Sequence, residues 1–313
     1  MAIPLPPPAD LTDNAIDARV DLLCTNAGLS PNLGLFGFGA PIRRIARYTP
    51  LLALGGFHAL VQQISNPVVG QGVVDHSQFE TDPQGRLDKT GKFLNAVIYG
   101  TRAQVKEAIK RYVSGHKTVY GTITADTCPN RAGEYYEPYK DEERLWVLAC
   151  VLDAMIFAME QMAPMTQVQR NKAWADGRRI ARALGIPQSI LPADHAALRS
   201  WMNLRLSKVT YGTAPSDPIR PGLHVHKSAH KISDALWANA TLPPFGLGES
   251  VAWFTTPPPL RTLCPANTPP PLVAAVEWVA FLLATRAVVY FAPDAIRYSE
   301  AFLAYRTRTG DPY

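Results

Sequence analysis

Arg86, Lys89 and Thr90 fall within about one helical turn, and His116 follows 26 residues after Thr90. Two cations and a hydroxyl on one helix face can hold anionic groups and polarise a bound oxygen. A lone histidine on an apolar face can ligate a metal. Together they suit a flat, anionic, iron-bearing ring held between two helices. Each part also has a plain account: the cationic cluster as a solvated face, the histidine as a core residue paired to a backbone carbonyl or a tyrosine hydroxyl. Some partner is needed, because an unpaired buried polar group costs about 1–3 kcal/mol.

The elements that must position these groups are readable from spacing. Phe93, Leu94, Val97 and Ile98 recur at helical intervals after Arg86, and the pattern stops at Gly100, a residue suited to a left-handed helix end. Thr101 and Gln104 form a capping-box pattern that starts a second helix at once. On it Val105, Ala108, Ile109, Tyr112, Val113, His116 and Val119 make one apolar stripe, so His116 points inward. Thr90 lies about 10 residues before the turn and His116 about 15 after it, roughly 15 and 22 Å at 1.5 Å per residue. An antiparallel pair would bring them to similar heights.

Further helices are expected at about 141–162, 166–184, 193–209, 228–240 and 271–291, and strand signals are sparse. The class is all-α, a single-domain helical bundle. Residues 1–45 read as an N-terminal arm and 46–313 as one helical catalytic domain. The proline-rich tracts Pro4 to Pro8, Pro257 to Pro259 and Pro269 to Pro271 lie near the ends, and no repeat or central linker divides the 313 residues.

Several blocks, taken in order, resemble the catalytic-domain family shared by bacterial latex-clearing rubber oxygenases and the fungal mycophenolic-acid pathway oxygenase MpaB. They are Asn66 to Ser77, Asp82 to Thr90, His116 to Gly121, Tyr139 to Val147 with Asp153, and Leu184 to Pro187 with Leu191-Pro192. The resemblance spans about half the chain. It implies a mainly helical fold that binds heme b, with the iron on His116, and a cofactor-binding set of His116, Arg86, Tyr120 and His76. It also implies a catalytic set of Lys89, Thr90 and Arg86 on the distal side, where the lysine approaches the iron when substrate is absent. Glu80 or Asp82 is the candidate base. The chain departs from the family pattern at Asn66 (usually histidine), Leu148 (often histidine) and Tyr120 (commonly arginine).

The implied function is a heme-dependent oxygenase that takes dioxygen and a lipophilic, isoprenoid- or polyketide-like substrate, with oxidative alkene cleavage as the reaction. One rival keeps the heme as an isomerase, dehydratase or peroxidase of secondary metabolism. Another is a helical lipid carrier without catalysis.

The formal charge of +5 is spread without aromatic interleaving or a nucleic-acid fold signature, which argues against nucleic-acid partners. Cys24, Cys128, Cys150 and Cys264 form no paired motif, and no signal pattern opens the chain, so reduced thiols and a cytoplasmic location are expected. Leu272 to Phe291 is long enough to span a bilayer but carries Glu277 and Arg286, each costing about 2.5–3.5 kcal/mol in a membrane. It reads as a buried helix; peripheral membrane contact stays open. Three further features are weaker. The Gly34 to Gly39 run fits no phosphate-loop spacing, His76-Ser77 lacks triad partners, and His224, His226 and His230 could converge on a metal. The aromatics Trp237, Phe245, Trp253 and Phe254 are candidate pocket residues.

Overall fold

A helix apolar on every side has to be buried, and the helix from Asp141 to Met162 meets that condition: Trp146, Ala149, Cys150, Leu152 and Ala154 all lie in the core. Among the described residues it alone is long and apolar enough to cross a membrane, and about two thirds of it is covered by the rest of the chain. The computed structural model describes residues 6–78, 82–125, 128, 131–209 and 271–311. Within them are α1 (Asp13–Thr25), α2 (Pro41–Ala46), α3 (Thr49–Ser65), α4 (Pro67–His76), α5 (Pro83–Tyr99), α6 (Arg102–His116) and the central α7 (Asp141–Met162). Then come α8 (Gln167–Ala183), α9 (His195–Val209), α10 (Pro271–Phe291), α11 (Asp294–Arg297) and α12 (Glu300–Thr309). Among the described residues strand is confined to one two-residue pair, with Gly121 opposite Tyr136 and Thr122 opposite Tyr135. The fold is all-α.

α3 packs along α7 at close range: a Cβ on Gly55 would sit 3.0 Å from the carbonyl oxygen of Ala154. Ile16, Val20, Leu23 and Cys24 of α1 join the same core as Trp146 and Trp174, so the stretch read as an arm contributes to the interior.

α5 and α6 form the hairpin that the spacing predicts. Asp82 caps α5, its Oδ1 accepting from the Gly85 amide at 2.8 Å, with Pro83 at the first helical position. The capping box on α6 is complete. Thr101 Oγ1 accepts from the Gln104 amide (3.3 Å), and Gln104 Oε1 accepts from the Thr101 amide (2.8 Å). Gly100 has a different reason from the one expected. Its φ is −68°, not left-handed, but a Cβ there would lie 2.2 Å from the Ala96 carbonyl oxygen. The Gly34 loop also presses on it, since a Cβ on Gly34 would meet the Gly100 oxygen at 2.2 Å. Space, not φ, requires the glycine.

α10 corrects the reading of a buried helix. One side, with Thr285 and Val289, rests on the bundle, while Val276, Val279, Leu283, Tyr290 and Phe291 (86%) face outward. Composition measures how apolar a helix is; only the packing partners decide how many of its faces are covered. The segment 228–240, the three histidines near 226, Cys264, Glu80 and the aromatics between 237 and 254 lie outside the described residues. Cys24, Cys128 and Cys150 are buried free thiols.

Candidate functional site

The apolar stripe of α6 divides into two neighbouring ridges. Val105, Ile109 and Val113 are buried in the core, whereas Ala108, Tyr112 and His116 line a cleft. Across it, Phe93 of α5 meets Tyr112 with ring centroids 5.4 Å apart. One further turn from the hairpin on each helix, Lys89 and His116 both border the cleft. The cleft has a narrow lobe of about 470 Å³ toward α4 and a wide lobe of about 1060 Å³ along the α5–α6 groove. Arg86, Lys89, Tyr112, His116 and Arg144 border both lobes.

His116 has the form of a prepared ligand. Its Nδ1–H donates to the Tyr112 carbonyl at 2.7 Å, one turn back, and Nε2 has no hydrogen-bond partner among the described residues. Burial pushes its pKa below the usual imidazole range; the carbonyl bond opposes this and the Arg86 charge adds to it. The ring is therefore neutral near pH 7, with its lone pair on the nitrogen left over. A metal-binding histidine needs this combination, since the hydrogen bond on one nitrogen fixes the tautomer and aims the other.

The cations around it are largely uncompensated. Arg86 Nη1 donates to Ser77 Oγ at 2.6 Å, makes no ion pair among the described residues, and burial alone lowers its pKa. Lys89 has no hydrogen-bond or ion-pair partner among the described residues and lies open to both lobes. Arg144 is buried on α7, donates to the Leu184 carbonyl at 2.7 Å and pairs with Asp141, yet its Nε is without a partner. Thr90 Oγ1 donates to the Arg86 carbonyl (3.1 Å) and borders the wide lobe.

His76 lines the narrow lobe at the end of α4, where its Nε2 lies 3.0 Å from Tyr136 Oη and 3.1 Å from the Tyr120 carbonyl. Tyr136 Oη donates to Asp75 Oδ2 (2.6 Å), and Gln71 Nε2 donates to Asp75 Oδ1 (2.9 Å). Burial and the Asp75 carboxylate push the Tyr136 phenol up, so it stays protonated. With that proton committed to Asp75, the oxygen accepts from Nε2–H of His76. The ring of Tyr120 borders neither lobe; its carbonyl is its link to the site. Asp82 is committed to capping α5 and borders the narrow lobe. Asn66, at the departure from the family block, caps α4 through Oδ1 to the Val68 amide (2.9 Å), and Leu148 is part of the wide lobe's apolar wall.

Sequence reasoning missed Arg144 and the Gln71–Asp75–Tyr136 network. The Gln71 and Asp75 spacing of four was visible, but Tyr136 lies 61 residues from Asp75 and only the fold joins them.

A second buried polar cluster is closed. Asp153 accepts from His58 (3.4 Å), Gln62 (3.0 Å) and Arg199 (2.6 Å). Burial acts to raise its pKa, but the His58 hydrogen bond and the Arg199 charge override it and hold the carboxyl at about 2. Its charges are matched internally, and it links α3, α7 and α9 rather than offering a site. No group of three or more metal-ligating side chains occurs among the described residues, so a metal here would rest on one histidine and a ligand that brings its own donors.

No curated protein and no solved structure matches the chain. A family model described as "ER-bound oxygenase mpaB/B'/Rubber oxygenase, catalytic domain" matches residues 43–289, from within α2 through most of α10. With more than half its length matched, and with His116 and the α5–α6 walls of the cleft inside the match, the chain belongs to the MpaB and rubber oxygenase catalytic-domain family.

Proposed function

We propose that this oxygenase-family protein is a heme b-dependent enzyme acting on a lipophilic, isoprenoid- or polyketide-like substrate in the cleft between α5 and α6. The observation that carries the reading is His116: neutral, aimed by the Tyr112 carbonyl, with Nε2 facing a cleft bordered by uncompensated cations. Heme brings four nitrogen donors of its own, so a single protein ligand suffices. Its two carboxylates suit Arg86 and Lys89, which make no ion pair among the described residues, with Arg144, already paired to Asp141, close by. Bound there, it supplies the dioxygen chemistry that no side chain of this chain can perform.

The chain's own contributions follow from its geometry. His116 holds the cofactor. Arg86 and Arg144 bind carboxylates, and Lys89 places a positive charge where negative charge develops on a reacting oxygen. His76 can take or release a proton at its ring, held by Tyr136 and Asp75 behind it. Phe93, Leu94, Leu148 and Val151 present an apolar wall that excludes water and accepts a hydrocarbon.

The test is the visible spectrum of the purified protein. A Soret band with about one iron per chain is expected, and His116→Ala should lose most of the heme. Colourless, iron-free protein from heme-replete cells would refute the reading. Full heme with an unchanged spectrum in the variant would move the ligand elsewhere. Turnover without dioxygen would keep the cofactor and discard the oxygenase.

A further inference from the structure

The wide lobe is long and bordered by apolar side chains, among them Phe93, Leu94, Ala108, Leu148 and Val151. Lys92, Glu107 and Arg111 are also on its border, with Arg86, Lys89 and Arg144 at the His116 end and Arg308 at the other. It follows the α5–α6 groove from Arg86 and His116 to Gly100, Ala103 and Arg308. The 13 rises of α6 from Ala103 to His116 correspond to about 20 Å at 1.5 Å per residue. Ala301, Ala304 and Arg308 of α12 lie three and four residues apart, so two small side chains and then a guanidinium face the same lobe. Arg308 is anchored rather than loose: Nη2 donates to the Tyr99 carbonyl at 2.5 Å, and the group lies 5.8 Å from the Tyr305 ring. It makes no ion pair among the described residues. Among the described residues the one acidic side chain bordering the lobe, Glu107, is occupied by Arg111 at 2.8 Å. Lys92, midway along α5, likewise has no carboxylate partner among the described residues.

A cofactor held at His116 cannot extend its carboxylates to the hairpin end, so Arg308, exposed and without an ion pair among the described residues, is open to a carboxylate at the mouth of the groove. A purely neutral hydrocarbon would give that cation nothing to bind. We infer that the substrate is a long-chain carboxylic acid, its chain along the α5–α6 groove and its carboxylate on Arg308, about 20 Å from His116. This rests on the proposed function in one respect only, that the reacting centre lies at His116. The arrangement makes Arg308 a specificity determinant. It fixes the head, and the groove length then selects which carbons reach the cofactor end. Guanidinium suits the task because it presents paired donors to a carboxylate even while one is spent on a backbone carbonyl.

The experiment is displacement of cis-parinaric acid, a fluorescent long-chain carboxylate, from the purified full chain by oleate and by oleyl alcohol. Oleate should displace it at a concentration at least tenfold lower than the alcohol. Arg308→Glu should erase that preference by weakening oleate while leaving the alcohol unchanged, and Arg308→Lys should retain most of it, which separates lost charge from lost fold. Equal displacement by the two competitors in the wild-type protein would overturn the inference. So would an Arg308→Glu variant that keeps the tenfold preference. The readout needs no bound heme and should survive His116→Ala. A red protein without the oleate preference therefore refutes the groove inference alone, and a colourless protein that keeps the preference refutes the proposed function alone.

Discussion

Two buried arginines in this molecule are treated in opposite ways. Arg43, on α2, is 1% exposed and spends its guanidinium completely. Nε donates to the Ile98 carbonyl (2.9 Å), Nη1 to Phe36, Gly37 and the Tyr305 hydroxyl, and Nη2 to the Leu33 carbonyl (2.6 Å), while the group stacks 4.0 Å from the Tyr305 ring. It fastens α12 to α2, α5 and the loop before α2. Arg144, at 5%, keeps an unpartnered Nε beside the cleft, with Arg86 and Lys89 similarly underused. A buried cation is tolerated when its donors are matched, and otherwise it costs several kcal/mol. Arg47, Arg102, Arg178 and Arg297 also have an unpartnered Nε, so a leftover donor alone marks no site. Around His116 the leftover donors border an open cleft where a ligand can use them, and a saturated arginine marks a structural joint.

The largest effect should come from the joint. Arg43→Met leaves carbonyls and the Tyr305 hydroxyl without their donor, and about 3–5 kcal/mol of stability should be lost. Urea unfolding would show this as a lower midpoint at unchanged slope. A loss under about 1 kcal/mol would mean that water replaces the guanidinium, and the contrast with the cleft would fail.

Arg86→Met should do the reverse. Among the described residues its one side-chain hydrogen bond goes to Ser77, and burial already penalises its charge, so stability should stay within about 1 kcal/mol of wild type. Cofactor retention or anion binding, followed by equilibrium dialysis, should fall by roughly tenfold, the worth of one charge-assisted hydrogen bond. If this variant unfolds as readily as Arg43→Met, the cleft cations are structural and the proposed site loses its rationale.

How much of this contrast could be read in the sequence depends on the range of the interactions. The hairpin was legible because its signals are local: the period of Phe93, Val97 and Ile98, the glycine, and the Thr101–Gln104 box. The limits of the central helix, Asp141 and Met162, are legible in the same way, from an acidic start and an apolar run that Asp153 alone interrupts between Leu145 and Met159. The placement of Arg86, Lys89, Thr90 and His116 on the two facing helices followed from counting along that hairpin. The two arginines could not be told apart. Arg43 becomes a joint only through Tyr305, 262 residues away, and Arg144 reaches the cleft only because Leu184 holds it from another helix. Gly100 and α10 failed for a related reason. One needed a neighbour's carbonyl to explain it, and the other needed a count of its packed faces.

The smallest expected effect tests whether the Arg43 region is as fully matched as its hydrogen bonds imply. Asp176 of α8 accepts from the Ile42 amide at 3.0 Å, next to Arg43, yet burial raises its pKa to about 6; the amide bond and the charges of Arg179 and Arg43 offset only part of that. The folded value lies above the ordinary 3.8, so the fold prefers the protonated carboxyl. Stability from this group is therefore complete below about pH 4 and declines as the pH rises through 6. Asp176→Asn keeps an oxygen for the Ile42 amide and removes the charge. It should match wild type at pH 4 and exceed it at pH 7 by about 1–3 kcal/mol, from roughly two pKa units at 1.4 kcal/mol each with allowance for partial exposure. Unfolding at the two pH values measures the difference. A variant no more stable at pH 7 would show that Arg43 and Arg179 hold the carboxylate charged, making the joint electrostatically closed as well as hydrogen-bonded. A gain at pH 7 alone would locate the one place where this otherwise saturated region resembles the cleft.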